Sequence, residues 1–220
     1  MHEVVITKDG SHSIYVHELD EHYHSVHGAI TESRHVFIEA GLKQFKNRQI
    51  RILEMGFGTG LNALLTLAEA NQSDISIYYT GIEKYPLEKT IIESLNFESL
   101  TDHTVTGMLK LIHDSPWHQD VLIKPGFILK KLQCDMHEME LIDEFDLVYF
   151  DAFAPEKQPE LWTKDLFSKI FLSMKSNSIL TTYSSKGMVR RNLEAAGFRV
   201  EKIPGPPGKR EITRAYKSSM

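Results

Sequence analysis

A mainly parallel, seven-stranded α/β sheet with helices on both faces and a small β appendage at its N-terminal side is the fold this 220-residue sequence predicts. Three observations carry it. From residue 50 onward, apolar runs of strand length alternate with segments of helical spacing. The first such run ends in a glycine-rich turn that opens directly into an apolar helix. Acidic residues fall at the ends of later runs, where open α/β sheets bind their ligands.

In chain order, residues 4–7 and 14–17 read as short strands around the turn Lys8, Asp9, Gly10, Ser11, an N-terminal hairpin outside the main sheet. Residues 31–46 carry Val36, Phe37, Ala40, Leu42 and Phe45 at near-helical spacing, with Thr31 as cap. Residues 50–55 form a buried strand, 61–70 an apolar helix, 75–83 a second strand and 87–95 a helix. Residues 127–133 and 145–151 give the third and fourth strands. A helix over 159–174, a strand over 178–183, a helix over 186–196 stopped by Gly197, and strands over 198–203 and 211–216 complete the pattern. Residues 96–125 break the alternation and are expected to be an insertion. The expected division is therefore a β-hairpin appendage over 1–30 and the α/β domain over 31–220.

With 41% hydrophobic and 25% charged residues the composition is that of a globular domain, and no apolar stretch approaches a membrane span of roughly 18 residues. The start, Met-His-Glu-Val-Val, lacks a signal-like basic and apolar pair, and Cys134 has no second cysteine to pair with, so a reducing, cytoplasmic setting is expected. Net charge is −5, yet between Lys186 and Lys217 nine basic residues face three acidic ones. Either that asymmetry is a solvated surface or it is a phosphate-binding face. Among eleven histidines, His22, His24 and His27 supply no defined ligand set, so no metal is expected and this stretch reads as a solvated loop. Trp117 and Trp162 read as core or lid residues.

The chemistry concentrates at Glu54, Met55, Gly56, Phe57, Gly58, Thr59, Gly60. Glycines let the backbone turn tightly and approach a ligand. A dinucleotide fingerprint would place its third glycine at 61, where the chain has Leu61; Gly60 gives the closer spacing of S-adenosylmethionine sites. Glu54 is expected near that cofactor's amino group and sulfonium. Glu83, 23 positions after Gly60, is placed to accept from both ribose hydroxyls. Asp135 is placed to accept from an adenine amino group with Met136 against the ring, or to cap the segment from His137. Asp151 closes the run Leu147 to Phe150 and is expected in the cleft where methyl donor and acceptor meet; the alternative is a turn-forming aspartate. Phe153 and Pro155 behind it shape a pocket for a planar substrate.

Glu54 to Leu61, Glu83 with Lys84, Tyr85 and Pro86, Asp151 to Pro155, Trp162 with Leu166 and Phe167, Thr182 to Arg191 with Gly197 and Phe198, Gly208, Lys209, Arg210, Glu211, and Thr31 to Phe37 with Glu32 and Arg34, resemble one family. It is the methyltransferase domain of the bacterial tRNA wobble-uridine enzyme that makes 5-methylaminomethyl-2-thiouridine from the 5-aminomethyl base. The resemblance runs from about residue 27 to 216. It implies a Rossmann-like fold, S-adenosylmethionine as cofactor and the tRNA anticodon loop as substrate. In many relatives the domain is fused to a flavin-dependent oxidase, for which 220 residues leave no room, so a stand-alone enzyme served by a separate oxidase is expected. Phe57, Thr59, Asn62 and Lys84 complete the expected cofactor set. Asp151 becomes the group that orients the amine and helps take its proton. Lys186, Arg190, Arg191, Lys209 and Arg210 become phosphate contacts, and Arg34 a substrate contact. Two other readings stay open: transfer of a methyl or aminopropyl group to a small amine in the same cleft, and an RNA-binding module without turnover.

Overall fold

The computed structural model describes residues 2–46, 49–73, 75–140 and 144–218; residues 1 and 219–220, the outer bounds of the expected division, lie outside them. Strands His2–Ile6 (β1), His12–Val16 (β2) and Glu21–His22 (β3) pair antiparallel as a three-stranded sheet. The hairpin read from the sequence is thus extended by a third short strand.

The helix expected over residues 31–46 is broken into helix α1 (Ala29–Ser33), a π-helical turn Arg34–Glu39 and a 3-10 turn Leu42–Gln44. Its apolar side still buries Val36, Phe37, Ile38 and Leu42. The alternating elements follow: β4 (Gln49–Met55), α2 (Leu61–Ser73), β5 (Ser76–Glu83), α3 (Lys89–Glu93), α4 (Met108–Asp114), β6 (Asp120–Lys124), β7 (Phe127–Gln133), β8 (Phe145–Phe150), α5 (Lys164–Leu172), β9 (Met174–Thr182), α6 (Gly187–Ala195), β10 (Arg199–Pro204) and β11 (Glu211–Lys217).

These strands form an eight-stranded sheet in the order β10-β11-β9-β8-β4-β5-β7-β6. The central pairs β4–β5, β4–β8, β5–β7 and β8–β9 are parallel, and β6, β10 and β11 pair antiparallel at the two ends. The eighth strand corrects the expected seven: β6 comes from the irregular insertion, whose turn at Gly126 folds it back onto β7 as an edge. Only Ile123 of its five residues is buried, so its short apolar run at the sheet edge does not stand out in an irregular stretch.

Every residue of β8 is buried, as a central parallel strand covered on both faces requires. On one face lies the cluster containing Phe37, Leu64, Tyr79 and Tyr149; on the other lies that of Met55, Phe150, Trp162 and Phe167. Trp162 is fully buried, packs edge-on to Phe150 at 4.9 Å, and donates Nε1–H to Phe153 O at 2.8 Å. The indole is core, and its hydrogen bond fixes the loop after β8. The chain crosses to opposite sides of β4 toward β5 and toward β8, so the carboxyl ends of these two strands flank a crevice.

Candidate active site

A cavity of about 910 Å³ opens at that crevice, above the ends of β4, β5, β7, β8 and β9. Gly56, Phe57, Gly58, Thr59 and Asn62 form its floor after β4. Gly56 has φ +93°, and a Cβ there would stand 2.6 Å from Asp151 O; Gly58 has φ +48°, and its Cβ would stand 3.0 Å from the Tyr23 ring. Only glycine lets this turn thread between β8 and the N-terminal sheet. The Phe57 side chain turns away, 2% exposed against Gly81 and 5.6 Å from the His113 ring, so the turn offers the cavity its backbone.

Beneath the turn lies a hydrogen-bonded chain. Asn62 Nδ2 donates to Glu54 Oε1 and to Asp151 Oδ2, both at 2.8 Å, and Tyr79 Oη donates to Glu54 Oε2 at 2.8 Å. Glu54 is 0% exposed. Burial pushes its carboxyl well above the ordinary glutamate value, with the nearby Asp151 and Glu83 acting in the same sense. This corrects the expectation that Glu54 meets the cofactor: both its oxygens are spent inside the core, and it acts by holding Asn62. The Asn62 Oδ1 is buried without a partner.

Asp151 lines the cavity at the end of β8. Burial pushes its carboxyl up to about 7; the Asn62 hydrogen bond opposes that shift, the Glu32 charge adds to it, and Lys209 opposes it. Glu83 Oε2 accepts from Gly58 N–H at 2.9 Å and its Oε1 from Tyr85 N–H at 2.8 Å, while burial raises its pKa. Each oxygen retains a lone pair for a further donor. Asp135 accepts from Lys84 Nζ and from His137 N–H, both at 2.8 Å; the lysine bond holds its carboxyl below the usual range. Asp135 therefore caps the following turn as its sequence position allowed, and Met136 lies buried beside it on the cavity wall.

Of the polar stretch over residues 22–27, Val26 and His27 are exposed, but His22 to His24 do not form a solvated loop. His24 is buried, and its Nε2 is 2.7 Å from Thr59 Oγ1; from the other side His113 Nε2 is 2.9 Å from Thr59 O. Desolvation depresses both imidazoles to about 4, so both are neutral at pH 7. Tyr23, edge-on to Phe153 at 4.9 Å, roofs the turn. The N-terminal sheet thus supplies a wall of the cavity, and Tyr23 and His24 are site residues that sequence reading missed. Their contacts to the turn, Tyr23 against Gly58 and His24 on Thr59, each span 35 residues of sequence, beyond any local pattern.

The remaining expected residues divide. Phe153 and Lys209 line the cavity. Pro155 is buried behind it; Arg34 and Arg210 are exposed outside it. Lys186 pairs with Glu156, and the Nζ of Lys209 lies 2.5 Å from Glu32 Oε1 and 4.2 Å from the Tyr183 ring centroid. Lys209 is corrected from an outward phosphate contact to a cavity residue, because the turn before β11 aims it inward. Glu32 and Tyr183 also line the cavity; both belong to runs that carry the family resemblance, Glu32 by name, but the sequence assigns neither a role. Burial raises the Tyr183 phenol, which donates to Ala152 O at 2.8 Å.

The lining is acidic. Glu18, Glu21, Glu32, Glu83, Asp135, Asp151 and Glu160 face Lys84 and Lys209, so the cavity favours a cationic occupant. Among the described residues no group of three or more His, Cys, Asp or Glu side chains is arranged to hold a metal ion, and no helix is long and apolar enough to cross a membrane.

Residues 117–218 match a family described as S-adenosyl-L-methionine-dependent methyltransferase. The chain is similar to the tRNA 5-methylaminomethyl-2-thiouridine biosynthesis bifunctional protein MnmC of Campylobacter hominis, 32% identical over 84% of this chain and 28% of that protein. It is also similar to the protein of that name from Cupriavidus metallidurans, 31% identical over 97% of the chain and 33% of the relative. The chain therefore spans about a third of the length of these relatives. Among solved structures it is similar to MNMC2 from Aquifex aeolicus, with TM-score 0.78, 28% identity, and coverage of 100% of this chain and 72% of that one. Spermidine synthase from Thermotoga maritima, at TM-score 0.55 and 12% identity over 98% of this chain and 72% of that one, shares the fold.

Proposed function

The chain belongs with the MnmC proteins among the S-adenosyl-L-methionine-dependent methyltransferases, and from that premise we propose that it methylates the amine of 5-aminomethyl-2-thiouridine at the tRNA wobble position. The observation that carries this reading is Asp151, a carboxyl of pKa about 7 at the floor of an acidic cavity, tied through Asn62 to the glycine turn.

The residues present fit the cofactor. Gly56 and Gly58 form a cradle that a Cβ would fill, and the buried Asn62 Oδ1 and the spare lone pairs of Glu83 await donors. We assign Gly56, Gly58, Thr59, Asn62, Glu83, Asp135 and Met136 to holding it. When bound, S-adenosylmethionine supplies a methyl group carried on a positively charged sulfur.

The chain's own task is to present an amine with a lone pair. A primary alkylammonium has a pKa near ~10.4, as lysine does. An ordinary aspartate, near ~3.9, would leave a gap of about 6.5 units, roughly 9 kcal/mol against proton transfer. Burial of Asp151 halves that gap to about 3.4 units, or about 5 kcal/mol. The ammonium N–H bond breaks, the Asp151 O–H bond forms, and the nitrogen pair is released toward the floor. Phe153 and Tyr23 offer aromatic edges beside the cavity for a flipped-out base.

Outside, Arg190 on α6 and Arg210 on the turn before β11 both act on Glu211, which brings them to one side of the molecule. With Arg191 and Lys186 they are assigned to the phosphates of the anticodon loop. A flavin-dependent oxidase on a separate chain or segment then supplies the amine, and the reaction takes place in the cytoplasm with its tRNA.

The test is incubation with tRNA bearing 5-aminomethyl-2-thiouridine and labelled S-adenosylmethionine, followed by mass spectrometry of the wobble nucleoside. One added methyl group on the aminomethyl nitrogen is expected. Label that enters polyamines but no tRNA would overturn the assignment.

A further inference from the structure

Lys209 reaches the cavity from the turn between β10 and β11, which closes through Gly205 N–H to Arg210 O at 3.1 Å and Lys209 N–H to Pro206 O at 2.9 Å. Inside, its ammonium lies between the Glu32 carboxylate at 2.5 Å and the face of Tyr183 at 4.2 Å. Glu32 is only 13% exposed and is anchored by accepting from Ser25 N–H at 3.1 Å. A carboxylate facing an aromatic ring is a recognition site for an alkylammonium. Both Glu32 and Lys209 act on Asp151, in opposite senses, so this site adjoins the proton acceptor.

A lysine side chain ends in a primary alkylammonium, the same group that the proposed substrate carries. Two such charges in one half-closed cavity would leave one of them desolvated without its own carboxylate, which is costly. Resting on the amine-methylation reading, we propose that Lys209 is an internal stand-in for the substrate. Glu32 and the Tyr183 ring form the seat for the ammonium to be methylated, and Lys209 leaves it as the substrate enters. The exchange conserves charge: one ammonium replaces another on Glu32. Lys209, swung outward, joins the exposed Arg210 where an RNA phosphate is assigned. Phosphate capture outside and amine seating inside are thereby coupled. Tyr183 and Glu32 also set specificity, because a neutral nucleoside carries no charge with which to displace Lys209.

Ethylammonium binding to the whole chain, followed by NMR titration, tests this, with melting temperature as the control for folding. Lys209→Met is expected to bind ethylammonium about tenfold more tightly than the wild type, a gain of ~1.4 kcal/mol, because the internal competitor is gone. Adding Glu32→Gln to Lys209→Met is expected to abolish the gain. Should Lys209→Met fail to fold, Lys209→Gln carries the same expectation. Equal or weaker binding by a folded Lys209 variant overturns the seat. Because the probe is not RNA, tighter ethylammonium binding in a chain that leaves aminomethyl-uridine tRNA unmodified would overturn the RNA substrate alone.

Discussion

Replacing Asn62 by Ala is predicted to move the acidic limb of the pH–rate profile upward. Asp151 must be ionised to take the ammonium proton, so kcat/KM should rise with pH through about 7 and level off above it. Asn62 Nδ2 donates to Asp151 Oδ2 at 2.8 Å and favours the ionised form. A hydrogen bond to a charged group contributes about 1.5–3 kcal/mol, and each ~1.36 kcal/mol is one pKa unit. Its loss should shift the limb up by about one to two pH units. Glu32→Gln removes a negative charge that raises the same carboxyl, so that limb should move down. Transfer of labelled methyl to aminomethyl-uridine tRNA across the neutral range is the assay, and the position of the limb is read, not its height, since Asn62 also touches the cofactor floor. A limb that stays fixed in both variants, or moves in the same direction in both, would refute Asp151 as the proton acceptor.

Gly56→Ala places a Cβ 2.6 Å from Asp151 O at φ +93°; strain of about 1–3 kcal/mol should weaken S-adenosylmethionine about tenfold or more by calorimetry, and affinity within twofold of wild type would contradict the cradle. The two histidines on Thr59 make stability acid-sensitive. Their folded values, about 4, lie below the ordinary 6.5, so stability is full above pH 6.5 and is lost as pH falls from there toward 4. At pH 5 each neutral histidine costs about 2 kcal/mol, or roughly 4–8 °C of melting temperature for a chain of this size. His24→Gln should remove about half of that acid drop; an unchanged drop would place the sensitivity elsewhere.

The α/β class and the glycine turn were legible in the chain because both rest on local rules. Strand and helix periodicities report which side of an element is apolar, and the turn at Gly56 and Gly58 needs residues without a Cβ whatever surrounds it. The positions of Glu83, Asp135 and Asp151 at strand ends followed from the same alternation. Edge strand β6 escaped because an exposed, short strand leaves almost no pattern. Glu54 was assigned to the cofactor from its place beside the glycines, but a residue's neighbours in sequence do not tell which way its side chain points. Here Tyr79 and Asn62 draw it into the core.

The order of residues is enough to foretell a sheet that carries carboxylates to a common edge above a glycine turn. What those carboxylates become depends on the groups that folding packs around them. Burial beside Asn62 turns Asp151 from an ordinary acid into one of pKa about 7, and it takes an N-terminal sheet folding over the turn to place Tyr23 and His24 against Gly58 and Thr59. The turn before β11 likewise brings Lys209 across 177 positions of sequence to Glu32, a separation obtained from their numbers, 209 and 32. Desolvation and charge pairing depend on what surrounds a group in space, and that is fixed by the folded chain, not by the order of its residues.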